Sequence, residues 1–175
     1  FIWKKIIAPI LLINNPEQNN LTSEEIIPKK CIHFGTGAIG GFYQLGIAKF
    51  ISEHYDIDDY VFSGTSAGSW CATLLASGFR PTDFDNVIYQ VLYELKDKNN
   101  KEFWTYVIKT ILDITKDITL KPKNDNLYIA TAEISPLPKR KFITNFSTFQ
   151  NATQACVVSS YIPFLLGKTP LMKYN

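Results

Sequence analysis

Gly64-Thr65-Ser66-Ala67-Gly68 spells G-x-S-x-G at the point where a short apolar run, Tyr60-Val61-Phe62, gives way to a longer one, Trp70-Cys71-Ala72-Thr73-Leu74-Leu75-Ala76. Such a sequence suits nucleophilic acyl transfer. A serine hydroxyl is lifted clear of a sheet edge only by a very tight strand-to-helix turn, and side chains two residues before and after it would collide there. Gly64 and Gly68 remove that collision. A helix starting after Ser66 aims its free N-terminal amides and positive dipole end at the hydroxyl, favouring alkoxide-like charge. Ser66 is therefore the candidate nucleophile. The plainer alternative is a small-residue turn that merely lets a buried helix pack closely on its strand.

A second glycine turn, Gly35-Thr36-Gly37-Ala38-Ile39-Gly40-Gly41, follows the apolar strand Cys31-Ile32-His33-Phe34. Parallel strands present their carboxyl ends on one side of a sheet, so this loop and the Ser66 turn should face one crevice. Acyl transfer passes through a tetrahedral oxyanion, and backbone N–H groups of Gly35, Thr36, Gly37 and Ala38, those near Gly37 and Ala38 foremost, are placed to donate to it. The rival reading is a dinucleotide turn, since Gly35-x-Gly37-x-x-Gly40 fits the pattern. Its acidic ribose partner is ambiguous among Asp56, Asp58 and Asp59.

The base is harder to find. Both histidines, His33 and His54, precede Ser66, whereas the α/β-hydrolase order is serine, acid, histidine. That triad is excluded. His33 reads as a satisfied core histidine on its strand, and His54 as a cation at an exposed helix end.

The elements that must hold these groups are legible in the spacing. Asn14 to Asn20 is polar and turn-rich, separating an apolar arm and linker (residues 1–27) from the main domain (28–175). Phe42, Leu45, Ile47, Ala48 and Ile51 recur at helical spacing through His54. The run Trp70 to Ala76 is apolar nearly all round, predicts a buried helix, and ends at Ser77-Gly78. Pro81-Thr82-Asp83 opens a helix with Phe84, Val87, Ile88, Val91, Leu92 and Leu95 on one face, broken at 96–101. Phe103 to Ile118 reads as another, with Trp104 and Val107 inward. Leu127 to Ile134 and Lys141 to Phe146 read as neighbouring strands joined at Ser135-Pro136-Leu137-Pro138, and Thr148 to Ser160 returns to helix. Strand, helix and parallel strand in succession make this an α/β protein.

Composition bounds the rest. With 175 residues, 46% hydrophobic and 19% charged, the chain is one globular domain in size, and a net charge of +2 gives no field for nucleic acid. Three scattered cysteines, Cys31, Cys71 and Cys156, and two histidines form no disulfide framework or metal site, so no cofactor is expected and the compartment reads as reducing and cytoplasmic. No apolar run approaches the roughly 18 residues that span a bilayer. Phe1 to Ile7 fits either a packed arm or a segment lying on lipid, and Lys139-Arg140-Lys141 with Lys121 and Lys123 fits either a solvated turn or contact with anionic headgroups.

The glycine loop, the following Phe42-Tyr43-Gln44-Leu45-Gly46, the Gly64 to Gly68 elbow and the passage Ala155 to Phe164 together resemble the patatin-like phospholipase family over Cys31 to about Asn175. The resemblance implies a three-layer α/β sandwich with a mainly parallel central sheet. It implies a lipid acyl hydrolase that uses a serine nucleophile, an aspartate base and loop amides as oxyanion hole, with no metal, on phospholipids or other acyl lipids. The basic residue many members carry in the loop is replaced here by Ile39 or Gly40. The family's acid sits in Asp-Gly-Gly or Asp-Gly-Ala, and this chain has no Asp-Gly pair. The expectation is truncation before the aspartate, leaving the 175 residues nearly inactive alone. A catalytically silent interaction or structural protein of the same fold is the alternative.

Overall fold

A computed structural model describes residues 30–96, 103–120, 122, 125–133, 139–162 and 172. The expected arm and linker, the break at 97–101, the Ser135 to Pro138 turn, and Lys121 and Lys123 lie outside the described residues.

The first strand, β1 (Lys30–Phe34), ends at the glycine loop, whose Ala38–Gly40 stretch forms a single 3₁₀ turn leading into α1 (Gly41–His54). Strand β2 (Tyr60–Thr65) follows, then α2 (Ala67–Ala76), α3 (Pro81–Leu95), α4 (Phe103–Thr115), β3 (Leu127–Glu133), β4 (Lys139–Ile143) and α5 (Phe149–Ser160). The strands lie in the order β1-β2-β3-β4. Pairing is parallel for β1 with β2 (Phe34 opposite Gly64) and for β2 with β3 (Thr65 opposite Ala130), and antiparallel for β3 with β4. The two parallel connections run through helices, as parallel pairing requires. The chain is α/β, with a mostly parallel sheet flanked by helices, as its sequence leads one to expect.

Burial explains why these segments adopt these forms. Phe34, Phe62, Leu127 and Ile129 turn one face of the sheet into the core, where they join Leu74, Leu75, Phe84 and Phe149 from the helices. Helix α2 is buried along nearly its whole length, from Gly68 to Ala76 except Trp70, which fits its all-round apolar sequence. It ends where Gly78 takes a left-handed φ of 76° and Phe79 N–H reaches back to Leu74 O at 3.1 Å. Helix α3 starts at Pro81, where Arg80 N–H donates to the Asp83 carboxylate at 2.9 Å. Lys49 of α1 pairs with Asp85 of α3.

Three expectations shift. His33 is exposed rather than a core residue: Phe34 faces the helices, so strand alternation turns Cys31 and His33 away from them. Ile47 and Leu92 keep helical spacing but are 37% and 53% exposed, because α1 and α3 bury a narrower stripe than their apolar content allows. The last strand is Lys139–Ile143, ending before Phe146, so Lys139, Arg140 and Lys141 lie on a strand and not in a turn. Lys139 and Lys141 reach Glu133 across the β3–β4 pair at 3.2 and 3.7 Å.

Candidate active site

Ser66 sits between the last residue of β2 and the first of α2 with φ 55° and ψ −128°. A side chain held there is strained by about 1–3 kcal/mol, and such strain persists only where the surroundings enforce it. The enforcement is visible. A Cβ at Gly64 would lie 2.5 Å from Ser69 Cα, and one at Gly68 would overlap the carbonyls of Phe34 and Gly35. Gly68 thus lets the first turn of α2 rest directly on the end of β1, bringing the glycine loop to the elbow. Gly41 makes the next close approach: a Cβ placed there would come within 2.9 Å of Ala67 Cβ.

The loop has its own strained residue. Ala38 has φ 45°, and it lines the same cavity as Ser66. Gly37 O accepts from Gly40 N–H at 2.8 Å, closing the turn that presents Ala38. Sequence reasoning missed Gln44, whose Nε2 donates to Gly35 O at 3.1 Å and would stand 3.0 Å from any Cβ on Gly37. Its side chain fills the inside of the loop. A polar residue on the first turn of an otherwise apolar helix face was the signal available. Of the expected oxyanion residues, Gly35 and Gly37 are half-buried, while Thr36 and Ala38 are exposed. Gly64 and Gly68 are buried.

Beneath Ser66 opens a cavity of about 210 Å³. Its walls are mainly aliphatic and aromatic: Leu45, Leu74, Val87, Val107, Ile111 and Phe149. Threonines 73, 115 and 153 also border it, but their hydroxyls are engaged with Cys156 Sγ, Ile111 O and Gln150 O at 3.1, 2.7 and 2.9 Å. The cavity therefore offers a guest apolar surface, and each methylene buried in such a place contributes about 0.8 kcal/mol. Cys71 borders it as well. Burial, with the neighbouring Cys156 adding to it, pushes the Cys71 thiol up to about 12, so it stays protonated at neutral pH.

Two serines at the end of α5 tie that helix to the elbow. Ser66 N–H donates to Ser159 Oγ at 2.8 Å, Ser159 Oγ–H donates to Ala130 O at 2.7 Å, and Trp70 Nε1–H donates to Ser160 Oγ at 3.1 Å. Among the described residues that border the cavity with Ser66 there is no aspartate, glutamate or histidine. The described His, Cys, Asp and Glu residues include no group of three able to hold a metal ion. His33 makes its hydrogen bond elsewhere, to Ser63 Oγ at 2.8 Å.

No curated protein and no solved structure matches the sequence significantly. A family model does, that of the patatin-like phospholipases, over residues 33–173. That span contains the glycine loop, the elbow, the cavity walls and the serines of α5. The match covers most of the chain, which belongs to the patatin-like phospholipase family.

Proposed function

We propose that the chain carries the nucleophile and oxyanion portion of a lipid acyl hydrolase. The family's activity toward lipid substrates gives the reaction class, and one observation carries the assignment of residues: Ser66, with its positive φ, opens onto an apolar cavity that it shares with the loop residue Ala38. In the proposed step Ser66 Oγ attacks the carbonyl carbon of a fatty-acyl ester while its proton passes to an aspartate carboxylate. The carbonyl oxygen becomes an oxyanion facing the N–H groups near Gly37 and Ala38. Losing one such donor costs about 2.7–4 kcal/mol of barrier in comparable sites. The ester's alcohol then departs with the proton, and water repeats the sequence on the acyl-enzyme, releasing fatty acid. The acyl chain lies in the cavity under Ser66.

The aspartate belongs outside residues 1–175 in this proposal, since the chain has no Asp-Gly pair and the described residues that border the cavity include no carboxylate. The same observation favours the second reading, a patatin-fold protein without catalysis that acts through binding. Sequence beyond Asn175 decides between them: Asp-Gly-Gly or Asp-Gly-Ala supports the hydrolase. Peripheral contact with a lipid surface in the cytoplasm belongs to the same proposal, with the exposed Lys139, Arg140 and Lys141 of β4 as its basic contacts. Among the described residues no helix is long and apolar enough to cross a membrane.

The test is covalent. A fluorophosphonate probe, which needs an activated serine and an oxyanion site, is expected to modify Ser66, with the adduct located by peptide mass spectrometry. A folded protein carrying the Asp-Gly sequence that nevertheless leaves Ser66 unmodified ends the hydrolase reading.

A further inference from the structure

In the parallel ladder between β2 and β3, Phe62 N–H donates to Asn126 O at 2.7 Å, one residue before its register partner Leu127. Donors in a parallel strand recur every second residue. The same alternation assigns the N–H of Ser66 to Ala130 O. That bond is replaced by a relay through a side chain, because the Ser159 hydroxyl accepts from Ser66 N–H at 2.8 Å and donates to Ala130 O at 2.7 Å. A hydroxyl has one proton to give, and here both the proton and an acceptor site are committed. Ser159 comes from the last turn of α5, 93 residues from Ser66.

We infer that Ser159 is a positioning residue for Ser66: its hydroxyl is wedged into the sheet where the next ladder bond would form, parting β2 from β3 and holding the nucleophile's backbone in its left-handed turn. Without the wedge the amide of Ser66 and the carbonyl of Ala130 lose their shared partner, and the left-handed turn loses the bond that holds it. With the wedge, neither polar group is left unpaired and the strained φ is the arrangement that satisfies both. Ser160 supports the same junction through Trp70 of α2. The wedge also fixes the end of α5 relative to the nucleophile. This inference rests on the proposed hydrolase reading for its catalytic consequence, but not for the structural one.

The experiment therefore has two readouts, on Ser159→Ala and on the pair Ser159→Thr and Ser159→Val, which match in bulk and differ in the hydroxyl. Amide hydrogen exchange at Ser66, resolved to the residue, is expected to quicken about ten-fold in the alanine variant, in keeping with the loss of one hydrogen bond. Fluorophosphonate labelling of Ser66 is expected to slow by about 10- to 100-fold, as misplacing a reacting group does, with the probe's saturation constant unchanged. Threonine should preserve both rates better than valine. Unchanged exchange at Ser66 in the alanine variant, or equal rates for the threonine and valine variants, overturns the inference. If the unaltered protein, in a form carrying the Asp-Gly sequence, is not labelled, the hydrolase reading falls by itself and the exchange readout still decides the role of Ser159.

Discussion

Ser63 and Ser66 stand three residues apart at the end of one strand, and they differ in what surrounds them. Ser63 has the conventional companion of a nucleophile, an imidazole 2.8 Å from its hydroxyl, yet it sits in regular strand beside the exposed Cys31 and His33. Ser66 has no imidazole, but it has a left-handed φ, the N-terminus of α2, a second strained residue opposite it and an apolar cavity below. On the proposed reading, the contrast teaches that backbone geometry fixing where the oxygen stands, and an apolar site in which fixed dipoles act at low dielectric strength, count for more than a base within reach.

Removing each hydroxyl in turn should break the comparison most sharply. In a protein that also carries the Asp-Gly sequence, Ser66→Ala is expected to lower hydrolysis of a fluorogenic acyl ester by about 10⁴–10⁶-fold. Ser63→Ala and His33→Ala should leave it unchanged, and a loss in either would move the chemistry to the other pair. The next largest effect concerns the close approach of loop and elbow. Gly68→Ala forces a methyl group into the carbonyls of Phe34 and Gly35 and should destabilise the protein by about 1–3 kcal/mol in chemical denaturation. Labelling of Ser66 should fall as the loop is pushed off. Gly35→Ala, which meets nothing within 4 Å, is the control that should fold normally.

A smaller effect isolates the strain at the elbow. Neither Ser66→Gly nor Ser66→Ala can react, but glycine adopts the left-handed turn freely. The glycine variant should therefore be the more stable by about 1–3 kcal/mol. Equal stabilities would mean that the turn is not strained. The smallest effect lies away from the site, on β3 and β4. A hydrogen bond from Lys139, helped by the nearby Lys141, holds the Glu133 carboxyl below the usual carboxylate range. A depressed folded-state pKa gives stability that is present above the unfolded value and lost as pH falls through the folded one. Melting temperature followed on acidification should drop slightly more for the unaltered protein than for Glu133→Gln, with hydrolysis at neutral pH the same in both.

The sequence was most informative where the chain's own stiffness decides the outcome. The order of strands and helices, the start of α3 at Pro81, the close of α2 at Gly78 and the G-x-S-x-G elbow all follow from spacing and backbone preference among near neighbours. It was least informative about direction. Helical spacing marked Ile47 and Leu92 as inward, and strand context marked His33 as buried, yet which part of an element faces the core depends on the neighbours that pack against it. Gln44 inside the glycine loop left only a faint trace.

The sequence by itself determined that a serine would stand in a glycine-flanked turn after a strand, because a tight turn is a property of five adjacent residues. Only the tertiary structure decided that this turn opens onto an apolar cavity, that Ala38 faces it, and that Ser159 holds its amide from 93 residues away. Contacts between residues so far apart leave no periodicity to read. They exist once packing has brought α5 against the sheet, and hydrogen bonding then selects among the arrangements that packing allows.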